Sequence, residues 1–143
     1  ARVMGVNLEG ALWASRAALR AMLERGCGVI VNIASIGGFA GGRAGTAYTV
    51  SKHALIGLTR SVAWQYGPQG VRCVAVCPGA IDTGIEPGEP NPAGWARLEP
   101  LLAALPKQGK PEDIAALVGF LASDAAQAIN GAIVTADRGW TVG

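Results

Sequence analysis

The sequence is poor in the residues that mark extracellular, metal-binding or membrane proteins. Three cysteines and one histidine stand among 143 residues. An odd number of thiols builds no disulfide framework, and one histidine leaves too few ligands for most metal sites. No uninterrupted apolar run approaches the ~18 residues of a membrane helix, and no charged start with a short apolar segment marks a secretion signal. A cytoplasmic protein is the expectation. Charge of one sign is also scarce, since twelve Lys plus Arg face ten Asp plus Glu for a net +2. The basic residues are scattered, which argues against a nucleic-acid surface.

Apolar residues, in contrast, make up half of the chain. They supply a sizeable core and exclude global disorder. Glycine is abundant, with 21 residues, and the first residue is Ala1 rather than Met, inside what reads as a helix. The expectation is one incomplete domain over residues 1–143, a fragment of a longer chain.

From Arg2 to Arg25 there is no proline, and Arg2, Glu9, Arg16, Arg20 and Glu24 form one narrow polar stripe at helical spacing. Gly26 stops this helix. Val29 to Ala34 then reads as a strand buried on both faces. A loop with five glycines from Gly37 to Gly45 leads to a second helix, Thr46 to Tyr66, apolar nearly all round. A strand from Val71 to Val76 ends at Pro78 and Gly79. Five of the eight prolines follow between Gly84 and Lys110, around a weak helical patch from Trp95 to Leu105. Such a segment suits a mobile surface lid. Pro111, Glu112 and Asp113 open a third main helix with an apolar stripe of Ile114, Leu117, Val118 and Leu121, and Ala132 to Ala136 reads as a third strand. This alternation predicts an α/β fold, a parallel sheet with helices on its faces.

Tyr48 and Lys52 lie four residues apart on one helix, so their side chains share a face with Cβ atoms ~5 to 6 Å apart. An ammonium beside a phenol favours the phenolate, although an exposed pair is too weak to shift it far. The same spacing also suits a core tyrosine beside a solvated lysine. Ser35 follows a buried strand, at the edge where open parallel sheets hold their ligands, but a serine there also makes a plain turn. Asn7 lies opposite the polar stripe, among Met4, Ala11, Ala14 and Ala18. A buried amide needs partners, and an interhelical hydrogen bond would satisfy it. Residues Ala80 to Thr83 leave the second strand at the same edge as Ser35. The glycine-rich stretch before Thr46 contains no G-x-G-x-x-G and does not open a helix directly, so a phosphate loop is rejected. Cys73 and Cys77 are expected to be small core residues that do not share a face suited to a metal or redox pair.

Taken together, Asn7 in V-N-L-E-G, Ser35 in I-V-N-I-A-S, Tyr48 and Lys52 in A-Y-T-V-S-K-H-A, V-C-P-G-A-I-D-T and G-K-P-E-D-I-A resemble the short-chain dehydrogenase/reductase family. Ser35 precedes Tyr48 by thirteen residues, as in that family. The match covers essentially the whole chain except Gly84 to Gln108.

The resemblance implies the carboxyl-terminal part of a doubly wound, Rossmann-like sheet, with NAD or NADP as cofactor and a small alcohol or ketone as substrate. Tyr48 would be the general acid or base, and Ser35 would orient the reacting oxygen. Lys52 would hold the nicotinamide ribose and favour the ionised phenol. Asn7 would anchor a water that links Lys52 to a proton path. Pro78, Gly79, Ile81 and Thr83, with Tyr48 and Lys52, would bind the nicotinamide end, and residues 84–110 would form the substrate lid. The family's glycine-rich phosphate loop has no counterpart in these residues, so the isolated fragment is expected to be inactive. Its members commonly form dimers or tetramers, here expected through the two long helices. Arg138 stands where the family usually has glycine. A non-catalytic oligomerisation or binding scaffold is the alternative, and an epimerase or dehydratase built on the same Tyr and Lys is a third.

Overall fold

Branched apolar runs flanked by glycine and proline become extended strands. In the computed structural model, which describes residues 2–85 and 91–142, these are β1 (Gly28–Ile33), β2 (Val71–Pro78) and β3 (Ile133–Ala136). They form one parallel sheet in the order β1-β2-β3. The β1–β2 register runs from Gly28 opposite Val71 to Ile33 opposite Val76, and β2 meets β3 from Ala75 opposite Ile133 to Pro78 opposite Ala136. Parallel neighbours need helical crossovers, so the α/β alternation read from the sequence is the architecture observed.

The amino-terminal helix starts as α1 (Arg2–Met4), widens into a π-helical turn at Gly5–Glu9 and continues as α2 (Gly10–Arg25). The first crossover is α3 (Thr46–Tyr66). The second passes through α4 (Pro92–Leu102) and α5 (Pro111–Ala122). Helical spacing places α4 between Trp95 and Leu105, but it starts and ends three residues earlier. Its start is fixed by Asn91, whose side chain accepts from Gly94 N at 3.1 Å, and by Pro92 in the first turn. Pro100, inside the last turn, has no N–H to donate to the carbonyl four residues earlier, which weakens that end of the helix.

The core sits on both faces of the middle strand. Leu19, Val62, Ala63, Val71 and Cys73 pack together, Ala34, Leu55, Ile56, Ala75 and Cys77 form a second cluster, and Val74, Val76 and Leu121 lie on the α5 side. Cys73 and Cys77 are both fully buried, as expected of core residues. Four residues along an extended strand do return them to the same face, contrary to expectation, but ~13 Å apart. β1 is not buried on both faces as its composition suggests: most of its residues are half-buried, and Ile33 is 43% exposed. It is the outer strand of the described sheet, paired on one side only.

Polar groups lock these layers. The buried Asn32 amide on β1 donates to Thr59 Oγ1 on α3 at 2.9 Å. The Arg72 guanidinium on β2 donates to the carbonyls of Leu121, Ser123 and Ile129, two of which close the end of α5. Gly70 turns the chain into β2 at φ +82, where a Cβ would meet Gly26 O at 2.0 Å. Only glycine fits there.

Arg138 is the one non-glycine residue with positive φ among those described, at +56. Its strained backbone is held by an ion pair, Arg138 Nη2 to Asp113 Oδ2 at 2.7 Å. The same carboxylate oxygen accepts from Lys110 N at 2.9 Å, so the pair ties the β3 exit to the start of α5. That contact explains how a long side chain is accommodated in a glycine-like conformation.

Candidate active site

β1 delivers Ser35 to the carboxyl edge of the sheet. The residue is extended, with φ −176, and caps a 3₁₀ turn at Ile36–Gly38, its Oγ accepting from Gly37 N at 3.1 Å. A hydroxyl has one proton to donate and two lone pairs, so this bond leaves the Ser35 O–H as a donor. The turn lies directly on α3. A Cβ on Gly38 would fall 2.8 Å from Ile56 Cδ1 and 3.0 Å from Lys52 O.

That close approach brings Tyr48 alongside Ser35. A Cβ on Gly37 would lie 3.6 Å from both Ser35 Oγ and Tyr48 Cε1, so hydroxyl and ring flank one point. One turn later, Lys52 Nζ stands 5.5 Å from the centre of the Tyr48 ring, within cation–π range. The ammonium also donates to Ile33 O at 2.8 Å, at the end of β1. Burial pulls the Lys52 ammonium below its ordinary value, opposed by the nearby Cys77 thiol. Burial likewise pushes the Cys77 thiol up, opposed by the Ser35 backbone and by Lys52.

Asn7 occupies the π-helical turn, a distortion frequent at functional positions. Its amide donates to Ser51 Oγ at 3.1 Å, and that hydroxyl donates to Tyr48 O at 2.7 Å. Ser51 is fully buried. Sequence reading passed over Ser51, although its place three residues after Tyr48 and one before Lys52 was the available signal.

The residues expected at the nicotinamide end follow β2. Pro78 closes the strand opposite Ala136, and Gly79 N donates to Ala136 O at 3.1 Å. A Cβ on Gly79 would lie 2.8 Å from Asp137 Cβ, so glycine is needed there for strand packing. Ile81 forms an isolated parallel bridge with Gly109 and lines a small cavity of about 170 Å³ with Asp113 and Arg138. Ser35, Tyr48 and Lys52 do not line that cavity. Thr83 is exposed, its Oγ1 accepting from Ile85 N at 3.4 Å. Ser35, Tyr48 and Lys52 thus form one cluster, Asn7 reaches it through Ser51, and Ile81 and Thr83 lie further along the chain. Of the 84–110 segment, residues 86–90 fall outside the described residues.

A serine, a tyrosine and a lysine converging on the carboxyl edge of a parallel sheet suit proton exchange with a polarised oxygen. The family model described as enoyl-(acyl carrier protein) reductase matches residues 1–141. The chain belongs to the short-chain dehydrogenase/reductase family. Within that family it is 46% identical, over 143 residues, to 3beta-hydroxysteroid dehydrogenase 2 of Eggerthella lenta, the alignment covering 98% of this chain and 55% of the relative. Its fold is similar to that of a putative NAD(P) dependent gluconate 5-dehydrogenase from Beutenbergia cavernae with bound NADP. The TM-score is 0.83 at 39% identity, covering 98% of this chain and 56% of the other. It is also similar to 4-hydroxyisoleucine dehydrogenase complexed with NADH and succinate, with a TM-score of 0.81 at 34% identity over 98% of this chain and 57% of that one. The family chain described here therefore spans about half the length of the relatives it matches. No described helix is long and apolar enough to cross a membrane.

Proposed function

We propose that this chain carries the proton-transfer centre of an NAD(P)-dependent oxidoreductase that interconverts a small alcohol and a carbonyl compound. The observation that carries the reading is the convergence of Ser35, Tyr48 and Lys52 at the end of β1. The names of the relatives, all dehydrogenases, support the reaction class.

The cluster suits a nicotinamide cofactor. An ammonium has three donors, and among the described residues Lys52 gives one of them to Ile33 O. The other two can hold ribose hydroxyls. Pro78, Gly79, Ile81 and Thr83 complete the nicotinamide end in this reading. When bound, NAD or NADP accepts or supplies the hydride.

The chain's own residues handle the proton. Ser35, with its lone pair held by Gly37 N, directs its O–H toward the substrate oxygen and fixes that oxygen beside Tyr48. Tyr48 gives its phenolic proton to the oxygen during reduction and takes it back during oxidation. Lys52, over the ring, favours the phenolate that remains. Asn7 acts on this turn through Ser51. The segment from Gly84 to Lys110 closes over the substrate. The two long helices pair with their copies in a dimer or tetramer. On this reading the 143 residues do not turn over substrate alone, because the relatives are nearly twice as long.

The test is to follow NAD(P)H absorbance with the full-length gene product on a panel of ketones and alcohols, beside a Tyr48→Phe variant. A loss of ~10²–10⁴-fold in kcat/KM is expected. Equal rates would remove Tyr48 from the mechanism, and cofactor binding without turnover on any substrate would favour a scaffold.

A further inference from the structure

The segment between the Ser35 turn and α3 carries a cation that proton transfer does not use. Arg43 Nε and Nη1 are both buried, and neither has a hydrogen-bond partner among the described residues. The guanidinium carbon lies 5.0 Å from the centre of the Trp140 ring. A ring satisfies the face of a guanidinium but not its in-plane N–H groups. Charged donors shut away from water without an acceptor are among the costlier arrangements in a folded chain.

The position of Arg43 indicates what the missing acceptor belongs to. Trp140 follows β3 in a tight turn, where Asp137 accepts from Gly139 N at 3.0 Å and from Thr141 N at 2.9 Å. Ser35 ends β1 at the other side of the sheet. Arg43 joins these two places: it lies in the loop that leaves the Ser35 turn, its guanidinium over the Trp140 ring beyond β3, five residues before Tyr48 in the chain.

We propose that Arg43, covered by Trp140, recognises a carboxylate carried by the substrate. The inference rests on the oxidoreductase reading, in that the carboxylate belongs to the molecule whose carbonyl oxygen meets Ser35 and Tyr48. With the Trp140 ring on one face, an anion can meet the N–H groups only in the plane of the guanidinium, which favours a planar anion over a tetrahedral one. Both orphan nitrogens are shielded, so the loop around Arg43 has to open as the anion enters.

The test uses the full-length gene product and a set of 3-oxo and 4-oxo acids with their methyl esters, at matched ionic strength. At least one acid should raise the melting temperature more than its ester does, and Arg43→Gln should abolish the difference. With NAD(P)H, Arg43→Gln should raise KM for that acid by about tenfold or more, the scale of one charge-assisted hydrogen bond, and change the ester by less than about twofold. Should Arg43→Gln not fold, Arg43→Met, of similar length and able to lie on the Trp140 ring, takes its place. Equal loss on acid and ester, equal protection by inorganic phosphate, or no acid bound would overturn the proposal. An Arg43-dependent melting shift in a protein that reduces nothing would sink the oxidoreductase reading and keep the anion site. Tyr48-dependent turnover indifferent to the carboxylate would do the reverse.

Discussion

Asn7 and Ser51 meet at 3.1 Å, and the Ser51 hydroxyl passes the contact on to Tyr48 O at 2.7 Å. This pair joins the π-helical turn of the amino-terminal helix to the turn of α3 that bears Tyr48 and Lys52. Widening the helix at Gly5–Glu9 is the local distortion that accompanies it.

Ser51→Ala should therefore leave the Asn7 amide short of an acceptor in a half-buried place. The expected cost is ~1–3 kcal/mol, or a melting temperature lower by ~2–12 °C, in the full-length gene product. A double-mutant cycle with Asn7→Ala checks it. Costs that add within ~0.3 kcal/mol would show that the two side chains are not coupled.

Gly38→Ala places a methyl group 2.8 Å from Ile56 Cδ1 and 3.0 Å from the backbone oxygen of Lys52. The side chain can yield but the helix backbone cannot, so the Ser35 turn should lift away from α3. Overpacking of this kind costs ~1–3 kcal/mol. Ser35 moves with it, so activity should drop by more than the loss of folded protein explains. Unchanged kcat/KM in well-folded Gly38→Ala would argue that this close approach does not set the Ser35–Tyr48 spacing.

Acid should weaken the fold partly through Asp137. Burial alone would raise this carboxyl, but hydrogen bonds from Thr141 and Gly139 outweigh it and hold the group below its ordinary 3.8. A carboxyl lowered by folding contributes stability that is fully present above the unfolded value and is lost as pH falls through the folded one. Melting temperatures from about pH 6 to about pH 3 should fall for the wild type. Asp137→Asn should start lower and fall less steeply, and parallel curves would clear Asp137 of the effect. Asp113 is lowered too, by Lys110 N and Arg138, but its ion pair is half exposed and should add little.

On α3, Val50, Gly57 and Trp64 recur every seven residues on an outward face, and Trp64 is 83% exposed. If the long helices pair with their copies as proposed, this is the face of α3 that the pairing would cover. The full-length gene product should be a dimer or tetramer by light scattering, and Trp64→Glu should shift it to smaller species. A monomeric wild type would remove α3 as an interface.

Much of this was legible in the residues themselves. Alternating helix and strand signals dictate a parallel sheet whatever the side chains do in detail, and the spacing of Ser35, Tyr48 and Lys52 places them on one edge and one helix face. Other features depend on partners distant in the chain. Nothing in the 3.6-residue period of Arg2 to Arg25 announces a π-helical turn, because its amide finds an acceptor 44 residues away, at Ser51. Arg138 is held at its glycine-like conformation by Asp113, 25 residues upstream, a partner that no local pattern announces. The half-burial of β1 is not visible in its residues, since an apolar strand reads the same with one neighbour as with two. The start of α4 was readable in Asn91 and Pro92, but apolar spacing gave it less weight than capping deserves.

Ile81 and Gly109 are tied side by side, with Asp82 N donating to Gly109 O at 2.8 Å and Gly109 N to Ala80 O at 2.9 Å. Whatever is strung between two such knotted ends can be rewritten in length and composition without loosening the sheet beneath it. On the proposed reading, a new substrate preference would then ask for changes in that excursion alone and none at the end of β1, where Ser35, Tyr48 and Lys52 meet.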